Sequence, residues 1–358
     1  MNGVLVVDGA YGEGGGQVLR TSLSLSAITG RPLRLVNIRA ARRKPGLMPQ
    51  HLTAVRAIAR VCNAAVEGDK LNSEELTFAP GTPPRAGSYT FDVAQVARGG
   101  SAGSVGLIAQ AVLLPLALAP GASELTLRGG THVSWSPVYD YLKRVYLPTL
   151  RWMGVEAKVQ IVKWGWYPVG GGEVKLTVQG LPAEARPKGL GLMQRGSLLR
   201  VRGVSASSSL PKHVRQRQEG TALQVLRSNG VNPRIDVLDA PSKGTGSVVF
   251  LWAEFEHVLA GFTALGEKGK PAERVADEAS QALLAYLRGD GAVDRHLADQ
   301  VILPMALADG PSSFTTEAVT QHLLTNAWVV NQFFPGRVQV GGVEGTPGAL
   351  CTVVGGEA

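Results

Sequence analysis

The chain has 358 residues, 44% of them hydrophobic and 18% charged, and carries a formal net charge of +8. Its length corresponds to two or three domains at about 150 residues each, and its composition excludes a chain that is disordered throughout. Two cysteines, Cys62 and Cys351, exclude a cysteine zinc cluster and a disulfide framework. The longest apolar stretch, 105–119, is too short to span a bilayer, and residues 1–10 lack a basic signal-peptide region. We therefore expect a cytoplasmic protein that contacts no membrane.

Strand-like and helix-like segments alternate along the first part of the chain, which predicts the α/β or α+β class with several sheets. The predicted order is a strand at 4–8, a helix that ends near 29, a strand at 33–38 and a helix at about 49–61. Two further segments, 76–78 and 89–93, alternate in hydrophobicity. They predict a pair of neighbouring strands.

A glycine-rich loop, DGAYGEGGGQ at 8–17, joins the first strand to the first helix. It lacks the spacing of a Walker loop or a dinucleotide fingerprint. Its glycines let backbone N–H groups approach an anion at a helix N-terminus, and Glu13 could hold a divalent metal there. A tight turn with a capping carboxylate explains the same residues, so the local sequence leaves both interpretations open.

Two stretches carry no acidic residue: 14–66 has nine basic residues and 185–218 has eight, while the rest of the chain has 19 basic against 28 acidic residues. This clustering indicates a phosphate-rich partner, with a solvated basic face as the alternative. The run IRAARRKPG at 38–46 supplies Arg39 and Arg42, and arginine suits bidentate phosphate binding. For His51 and His213, which lie in these stretches, phosphate contact and simple surface exposure both stay open.

One internal repeat is visible without alignment. LPLALAPGAS at 114–123 returns as LPMALADGPS at 303–312 with seven of ten positions identical, and each copy follows a glutamine, Gln110 or Gln300. A looser third copy spans 17–30. Proline at the same place in each apolar helix predicts a kink or break in a repeated unit.

The segment between the two clear copies differs in character and predicts a small inserted α+β domain. Strands are predicted at 198–204, near 235 and at 248–255, with helices at 211–227 and 271–288. The predicted division is a main domain at 1–184, an inserted domain at 185–285, and a return to the main domain at 286–358.

His322 lies in TQHLLTN, at the start of a predicted helix. A helix N-terminus disfavours the imidazolium, which predicts a neutral and nucleophilic ring, although a lone histidine beside an apolar stripe is more often a core residue. His296 stands close to Asp299 and Gln300 in HLADQ. No H-E-x-x-H, G-x-S-x-G, Walker or CxxC pattern supports a hydrolytic triad or a protein-only zinc site.

Eight segments together resemble the RNA 3′-terminal phosphate cyclase family, in that family's order and over nearly the whole chain. They are DGAYGEGGGQVLR, IRAARRKPGLMPQHLTAV, GSAGSVGLIAQAVLLP, GGTHVSWSP, GWYPVGGG, LGEKG, HLADQVILPMALA and QHLLTN. The resemblance implies a main domain of repeated βαβαββ-type units, as in enolpyruvyl transferases, with a smaller inserted α+β domain. It implies ATP-dependent conversion of an RNA 3′-phosphate to a 2′,3′-cyclic phosphodiester, through covalent histidyl-AMP and an RNA-adenylate.

By motif position, the resemblance makes His322 the nucleophile and Glu13 a ligand of Mg²⁺ or Mn²⁺. At the ATP site it places Gln110, Pro137 as an adenine-stacking residue, and the run His296, Leu297, Ala298, Asp299 and Gln300. In the phosphate and RNA region it places Arg20, Arg39, Arg42 and Gln50. His296 stands where some relatives have a tyrosine stacked on adenine.

Two other interpretations share this architecture. A cyclase-like ribosome-biogenesis branch lacks the nucleophilic histidine and would be an RNA-binding assembly factor, but His322 and the intact HLADQ segment argue against it. An enolpyruvyl transferase has no histidyl-nucleotide chemistry, and the acid-free arginine stretches disfavour it. The expected partners are therefore ATP and RNA with a 3′-phosphate end. The oligomeric state stays open, a homodimer included.

Overall fold

The computed structural model describes residues 3–96 and 101–355, which form four four-stranded sheets with helices between their strands. Gly100, the first residue of the GSAGSVG motif, lies outside the described residues. None of the helices in this part of the chain combines the length and the hydrophobicity that crossing a membrane requires. The predicted α/β or α+β class with several sheets is confirmed.

The first unit has the element order βαβαββ. Its elements are β1 (Leu5–Asp8), α1 (Gly16–Thr29), β2 (Leu33–Val36), α2 (Pro49–Cys62), β3 (Ala65–Glu67) and β4 (Leu76–Ala79). The strand order is β1-β2-β4-β3, with β1 parallel to β2 and the other neighbours antiparallel. A parallel pair needs a crossover, which α1 provides, and α1 is buried almost continuously from Gln17 to Ala27.

The second unit repeats this order. Its elements are β5 (Ser88–Asp92), α3 (Val105–Ala117), β6 (Ala122–Gly129), α4 (Tyr139–Tyr141) continuing through a π-helical turn into α5 (Leu147–Trp152), β7 (Ala157–Lys163) and β8 (Gly172–Gln179). The strand order is β5-β6-β8-β7, with β5 parallel to β6. The predicted pairing of 76–78 with 89–93 is wrong. β4 lies between β2 and β3, whereas β5 begins the next sheet, because each unit completes its own sheet.

The chain then forms β9 (Gly191–Leu192), which belongs to a third unit completed later in the sequence. Next comes a sheet of different topology, called the fourth sheet here. Its elements are β10 (Leu198–Ser208), α6 (Lys212–Ser228), β11 (Arg234–Asp239), β12 (Gly246–Phe255), β13 (Leu259–Leu265) and α7 (Ala272–Arg288). The strand order is β11-β10-β12-β13. The sequence predicted these elements except β13, which pairs antiparallel with β12.

The third unit follows, and β9 is its first strand. Its other elements are α8 (Leu297–Ala306), β14 (Ser312–Thr316), α9 (Gln321–Phe333), β15 (Val338–Val340) and β16 (Ala349–Val353). The strand order is β9-β14-β16-β15, with β9 parallel to β14. The change of sheet therefore falls at Leu198. The domain limits themselves stay a prediction, because strand pairing does not define independently folding bodies.

The repeated prolines, Pro115 in α3 and Pro304 in α8, do not break their helices, which continue to Ala117 and Ala306. Proline lacks the N–H that would bond the carbonyl four residues earlier. For Pro115 that carbonyl belongs to Ala111, and the Ser24 hydroxyl of α1 donates to it at 2.7 Å. A neighbouring helix thus supplies the donor that the proline removes.

Phe314 provides a test of the third unit, since it is fully buried in β14 between β9 and β16. We expect Phe314→Ala to lower the free energy of unfolding by about 3–5 kcal/mol, because it leaves a cavity in the core. Phe314→Leu, which retains much of the volume, should cost less. Urea unfolding followed by circular dichroism measures both, and equal stability of the alanine variant and the parent protein would contradict this packing.

Candidate active site

A cavity of about 630 Å³ lies between helices of the repeated units and the fourth sheet. Seven residues that the sequence predicted for the site line it: Arg20, Gln110, Pro137, His296, Asp299, Gln300 and His322. They come from five separate parts of the chain: four helices and the loop that holds Pro137. Two of them meet directly, since Gln110 Nε2 donates to Gln300 Oε1 at 2.5 Å. The fold thus brings α1, α3, α8 and α9 to one cavity.

His322 is the second residue of α9, as the sequence predicted, and its side chain is 52% exposed. Its Nδ1 lies 2.5 Å from Gln17 Oε1 and 3.0 Å from Glu13 Oε2. Gln17 Oε1 can only accept, so Nδ1 carries a proton and donates to it, while Glu13 Oε2 lies close by without a hydrogen bond. In the neutral ring, Nε2 therefore holds the lone pair. Among residues 3–96 and 101–355, no hydrogen bond engages Nε2.

The Gln17 amide is oriented by its second contact. Gln17 Nε2 donates to Asp299 Oδ2 at 2.7 Å, which turns Oε1 towards His322. The Asp299 carbonyl accepts from Asn326 Nδ2 at 2.7 Å, and Asn326 Oδ1 accepts from the Thr21 hydroxyl at 2.7 Å. These hydrogen bonds join α1, α8 and α9 and fix the protonated nitrogen of the ring.

Glu13 favours the protonated form of His322 in the free protein. Its contact with His322 and its 2.5 Å ion pair with Arg42 lower the pKa of Glu13 to about 2. The same contact raises the pKa of His322 above 6.5. This shift opposes the one that the helix N-terminus predicts, because a carboxylate at 3.0 Å stabilises the imidazolium.

Two further charges face the cavity. Burial lowers the pKa of Arg20 to about 10, although Asp299 and Glu13 oppose the shift, so its guanidinium stays charged at neutral pH. Burial raises the pKa of Asp299 to about 6, against the opposing effects of His322, His296 and Arg20. Asp299 is accordingly ionised above about pH 6, where it accepts from Gln17.

The glycine-rich loop allows close packing at two points. A Cβ on Gly16 would lie 2.2 Å from His51 Nε2, so glycine lets the first turn of α1 cover this histidine. His51 is buried, and burial holds its pKa well below 6.5, while the exposed His213 lies on α6. Gly12 has a φ of +59°, and a Cβ there would lie 2.5 Å from Thr325 Oγ1. The loop therefore lies directly against α9.

Six predicted site residues do not line the cavity. Arg39 Nη1 donates to the carbonyls of Lys44 and Gly46 at 2.7 and 2.8 Å, which holds the basic loop together. Gln50 Oε1 accepts from the backbone N–H of Ser104 at 3.2 Å, just before α3. The side chains of Leu297 and Ala298 are fully buried in the core. Glu13 and Arg42 lie beside the cavity through their contacts with His322 and with each other.

Much of the basic charge in the acid-free stretches is neutralised from elsewhere in the chain. The ion pairs are Arg34–Glu75, Arg56–Asp69, Arg200–Glu254, Arg215–Asp239 and Arg217–Glu273. Such pairs contribute little to stability, but they reduce the positive field. The sequence segments are therefore more basic than the surfaces that they form.

Several cavity residues were not predicted. Trp135 is 98% exposed with a φ of +61° in the loop between β6 and α4, and its setting between two serines was an available signal. For Gln17 the only signal in the sequence was its position directly after the glycine run. Further polar examples are Thr21, Asn326, Thr263, Lys270 and Glu278. The last three belong to the fourth sheet and its flanks, which no local pattern connects to His322.

Metal-ligating side chains are sparse at the site. The described residues contain no group of three or more His, Cys, Asp or Glu side chains that could hold a metal ion. Glu13 Oε2 is buried and accepts no hydrogen bond, and the ring of His322 is its close neighbour. Within 3–96 and 101–355, Glu13 is thus a candidate ligand without a complete set of protein ligands around it.

Comparison with known proteins gives one consistent family. A family model described as RNA 3′-terminal phosphate cyclase matches residues 11–340. Proteins of that name are similar in Methylococcus capsulatus (53% identity; 94% of this chain and 93% of the relative), Nostoc punctiforme (49%; 94% and 96%) and Pyrococcus furiosus (42%; 98% and 99%). Among solved structures, an enolpyruvyl transferase from Streptomyces tendae is similar over 50% of this chain and 33% of its own, at 16% identity and a TM-score of 0.28.

The effect of Glu13 on His322 can be measured directly. We expect Glu13→Gln to lower the pKa of His322, because the substitution removes the carboxylate that stabilises the imidazolium. A pH titration of the histidine Cε1–H NMR signals, with His322→Ala for assignment, reports the shift. His213 is exposed on α6 and serves as the reference signal. An unchanged or higher pKa in Glu13→Gln would show that Glu13 does not control this ring.

Proposed function

The chain belongs to the RNA 3′-terminal phosphate cyclase family, and from this premise we propose that it converts the 3′-phosphate end of RNA to a 2′,3′-cyclic phosphodiester at the expense of ATP. One observation supports the proposal above the others: Nδ1 of His322 donates its proton to Gln17, with the Glu13 carboxylate 3.0 Å away. The other ring nitrogen, Nε2, is then the nucleophile at the edge of the cavity.

The first step is covalent transfer of AMP to His322. The Nε2 lone pair attacks the α-phosphorus of ATP, the new P–N bond forms, and the bond to pyrophosphate breaks with its electron pair on the leaving oxygen. Attack requires the neutral ring, so the reactive fraction grows as the pH rises past the raised pKa of His322. The Nδ1–H that stays bonded to Gln17 and near Glu13 stabilises the positive charge that the ring gains.

The second and third steps use the RNA end itself. An oxygen of the 3′-phosphate attacks the phosphorus of histidyl-AMP, and the P–N bond breaks to restore His322. The adjacent 2′-OH then attacks the activated 3′-phosphorus and loses its proton, while AMP leaves. Because the 2′-OH is already beside the phosphorus, ring closure gains from proximity. Adenylation is needed since a phosphate monoester has no comparable leaving group.

The nucleotide would occupy the 630 Å³ cavity, whose size falls in the usual range for ligand sites. Pro137 and His296 lie on its lining as candidate neighbours of the adenine, with Gln110 and Gln300 as polar contacts. The charged Arg20 is available to the phosphates. Asp299 has a further role here as a positioning residue, because it orients Gln17.

Glu13 fits a divalent cation only in the sparse manner common for Mg²⁺. Such ions are often held by one carboxylate, with substrate phosphates and water as the other ligands, and Glu13 Oε2 is buried without a hydrogen bond. When bound, Mg²⁺ or Mn²⁺ would neutralise charge on the phosphates of ATP. Arg42, paired with the other oxygen of Glu13, holds the carboxylate in place.

Covalent labelling tests the nucleophile. After incubation with α-³²P-ATP and Mg²⁺ or Mn²⁺, we expect a label on the protein that is acid-labile and alkali-stable, as a phosphoramidate is. His322→Ala should lose it, because the variant lacks the ring that Gln17 and Glu13 orient and charge. His213→Ala replaces an exposed histidine outside the cavity and should keep it. Labelling of folded His322→Ala at the parental level would place the nucleophile elsewhere.

Cyclisation is tested separately with RNA. We expect an oligonucleotide ending in a 3′-phosphate to become resistant to phosphatase in the presence of ATP, because the cyclic diester has no monoester to remove. The same oligonucleotide ending in a 3′-OH should not change. A protein that binds RNA but neither labels nor cyclises, with ATP and with GTP, would instead be an assembly factor.

A further inference from the structure

An aromatic pair beside the candidate active site has no role in the steps above. The Tyr11 ring stacks on the Trp328 ring with 3.8 Å between their centroids and 9° between their planes. Tyr11 is 43% exposed, whereas Trp328 is half-buried. Trp328 covers only one face of the tyrosine ring. The 43% exposure of Tyr11 leaves part of that ring accessible to a second planar group.

The pair is held in register with His322. Three consecutive loop residues contact three positions of α9 spaced by three residues: Glu13 meets His322, Gly12 lies against Thr325, and Tyr11 stacks on Trp328. A rise of 1.5 Å per residue puts Trp328 about 9 Å along the helix from His322. Because Gly12 requires a positive φ and has no room for a Cβ, the position of Tyr11 is fixed relative to the reacting histidine.

Given the proposed function, on which this inference rests, an RNA strand must place its 3′-phosphate at His322. Bases in a strand stack about 3.4 Å apart, so a point about 9 Å from the phosphate lies within reach of the last two bases. Single-stranded nucleic acids are commonly bound by bases stacked on exposed aromatic rings, without sequence preference. The exposed Arg43 and Lys44 lie in the basic loop whose Arg42 contacts Glu13.

We propose that the open face of Tyr11, supported from behind by Trp328, stacks one of the last two bases of the RNA substrate. Tyr11 then determines affinity for the RNA 3′ end and is not required for the first step, which uses ATP alone. The stack accepts any base, because every base has a π-face. It favours an unpaired end, since a paired base has its faces covered by its neighbours.

A double-mutant cycle, in which Tyr11 is changed in the protein and a base is removed from the RNA, tests the proposal. The parent protein, Tyr11→Leu and Tyr11→Phe are each assayed with a 3′-phosphate RNA and with versions that lack the base of the last or the second-last nucleotide. We expect Tyr11→Leu to raise KM for intact RNA about 5- to 10-fold, with kcat nearly unchanged and with Tyr11→Phe close to the parent. Removing the base at one of the two positions should raise the KM of the parent protein for RNA by a similar factor. It should hardly change the KM of Tyr11→Leu.

The control is Trp152→Leu, which removes another aromatic side chain exposed to nearly the same extent, 42%, on α5. It should leave KM for RNA unchanged. Additive effects of the protein and RNA changes, at both positions, would overturn the proposal. A change in KM for ATP instead of RNA would assign the ring to the nucleotide and also overturn it.

Labelling with α-³²P-ATP separates this inference from the proposed function. If the parent protein takes up no label, the proposed function fails. If it does, and the cycle shows no coupling between Tyr11 and a base, only the stacking proposal fails. If circular dichroism shows that Tyr11→Leu does not fold, the stacking proposal is tested with Tyr11→Phe and with the parent protein on the two RNAs that lack a base. An unchanged KM of the parent protein for both of these RNAs would contradict the proposal.

Discussion

The orientation of the reacting histidine depends on one buried charge, the carboxylate of Asp299. A buried carboxylate needs a donor, and Gln17 supplies it with the NH₂ end of its amide. The carbonyl end then has to face His322, which fixes the proton on Nδ1. An amide turned the other way would present a donor to that nitrogen and leave the carboxylate unpaired. Asp299 therefore orients His322 without touching it, through its hydrogen bond to Gln17.

Much of the fold could be predicted because its signals are local. The periodicity of α1, α2, α6 and α7 and the duplicated Leu-Pro helices are properties of short windows, and the elements lie close to their expected limits. Strand partners are not local. Nothing in 76–78 or 89–93 indicates that β4 completes one sheet and β5 begins another, and β13 has too little alternation to be recognised. The helix α3 likewise tolerates Pro115 because Ser24 donates to the Ala111 carbonyl, which lies 87 positions later in the chain.

The site was predictable in position but not in electrostatics. His322 stands at a helix start in the sequence, and the resemblance identified seven of the residues that line the cavity. The charge of the ring is set by Glu13 and its orientation by Gln17, 305 positions away. The basic stretches show the same limit, because their acidic partners, such as Glu75 for Arg34, lie outside the windows that reveal the stretches. Contacts between distant segments decide what local composition cannot.

The split third unit has a consequence for how the protein is made. The first two sheets can each form from one continuous run of chain as it leaves the ribosome, but β9 must wait for β14, which pairs with it across 122 positions. Closing so long a loop is slow compared with pairing neighbouring strands. The fourth sheet has time to form first, and α9 arrives after it. In a nascent chain, His322 is therefore among the last site residues to be positioned. It then packs against the glycine-rich loop at 8–17, which was synthesised first.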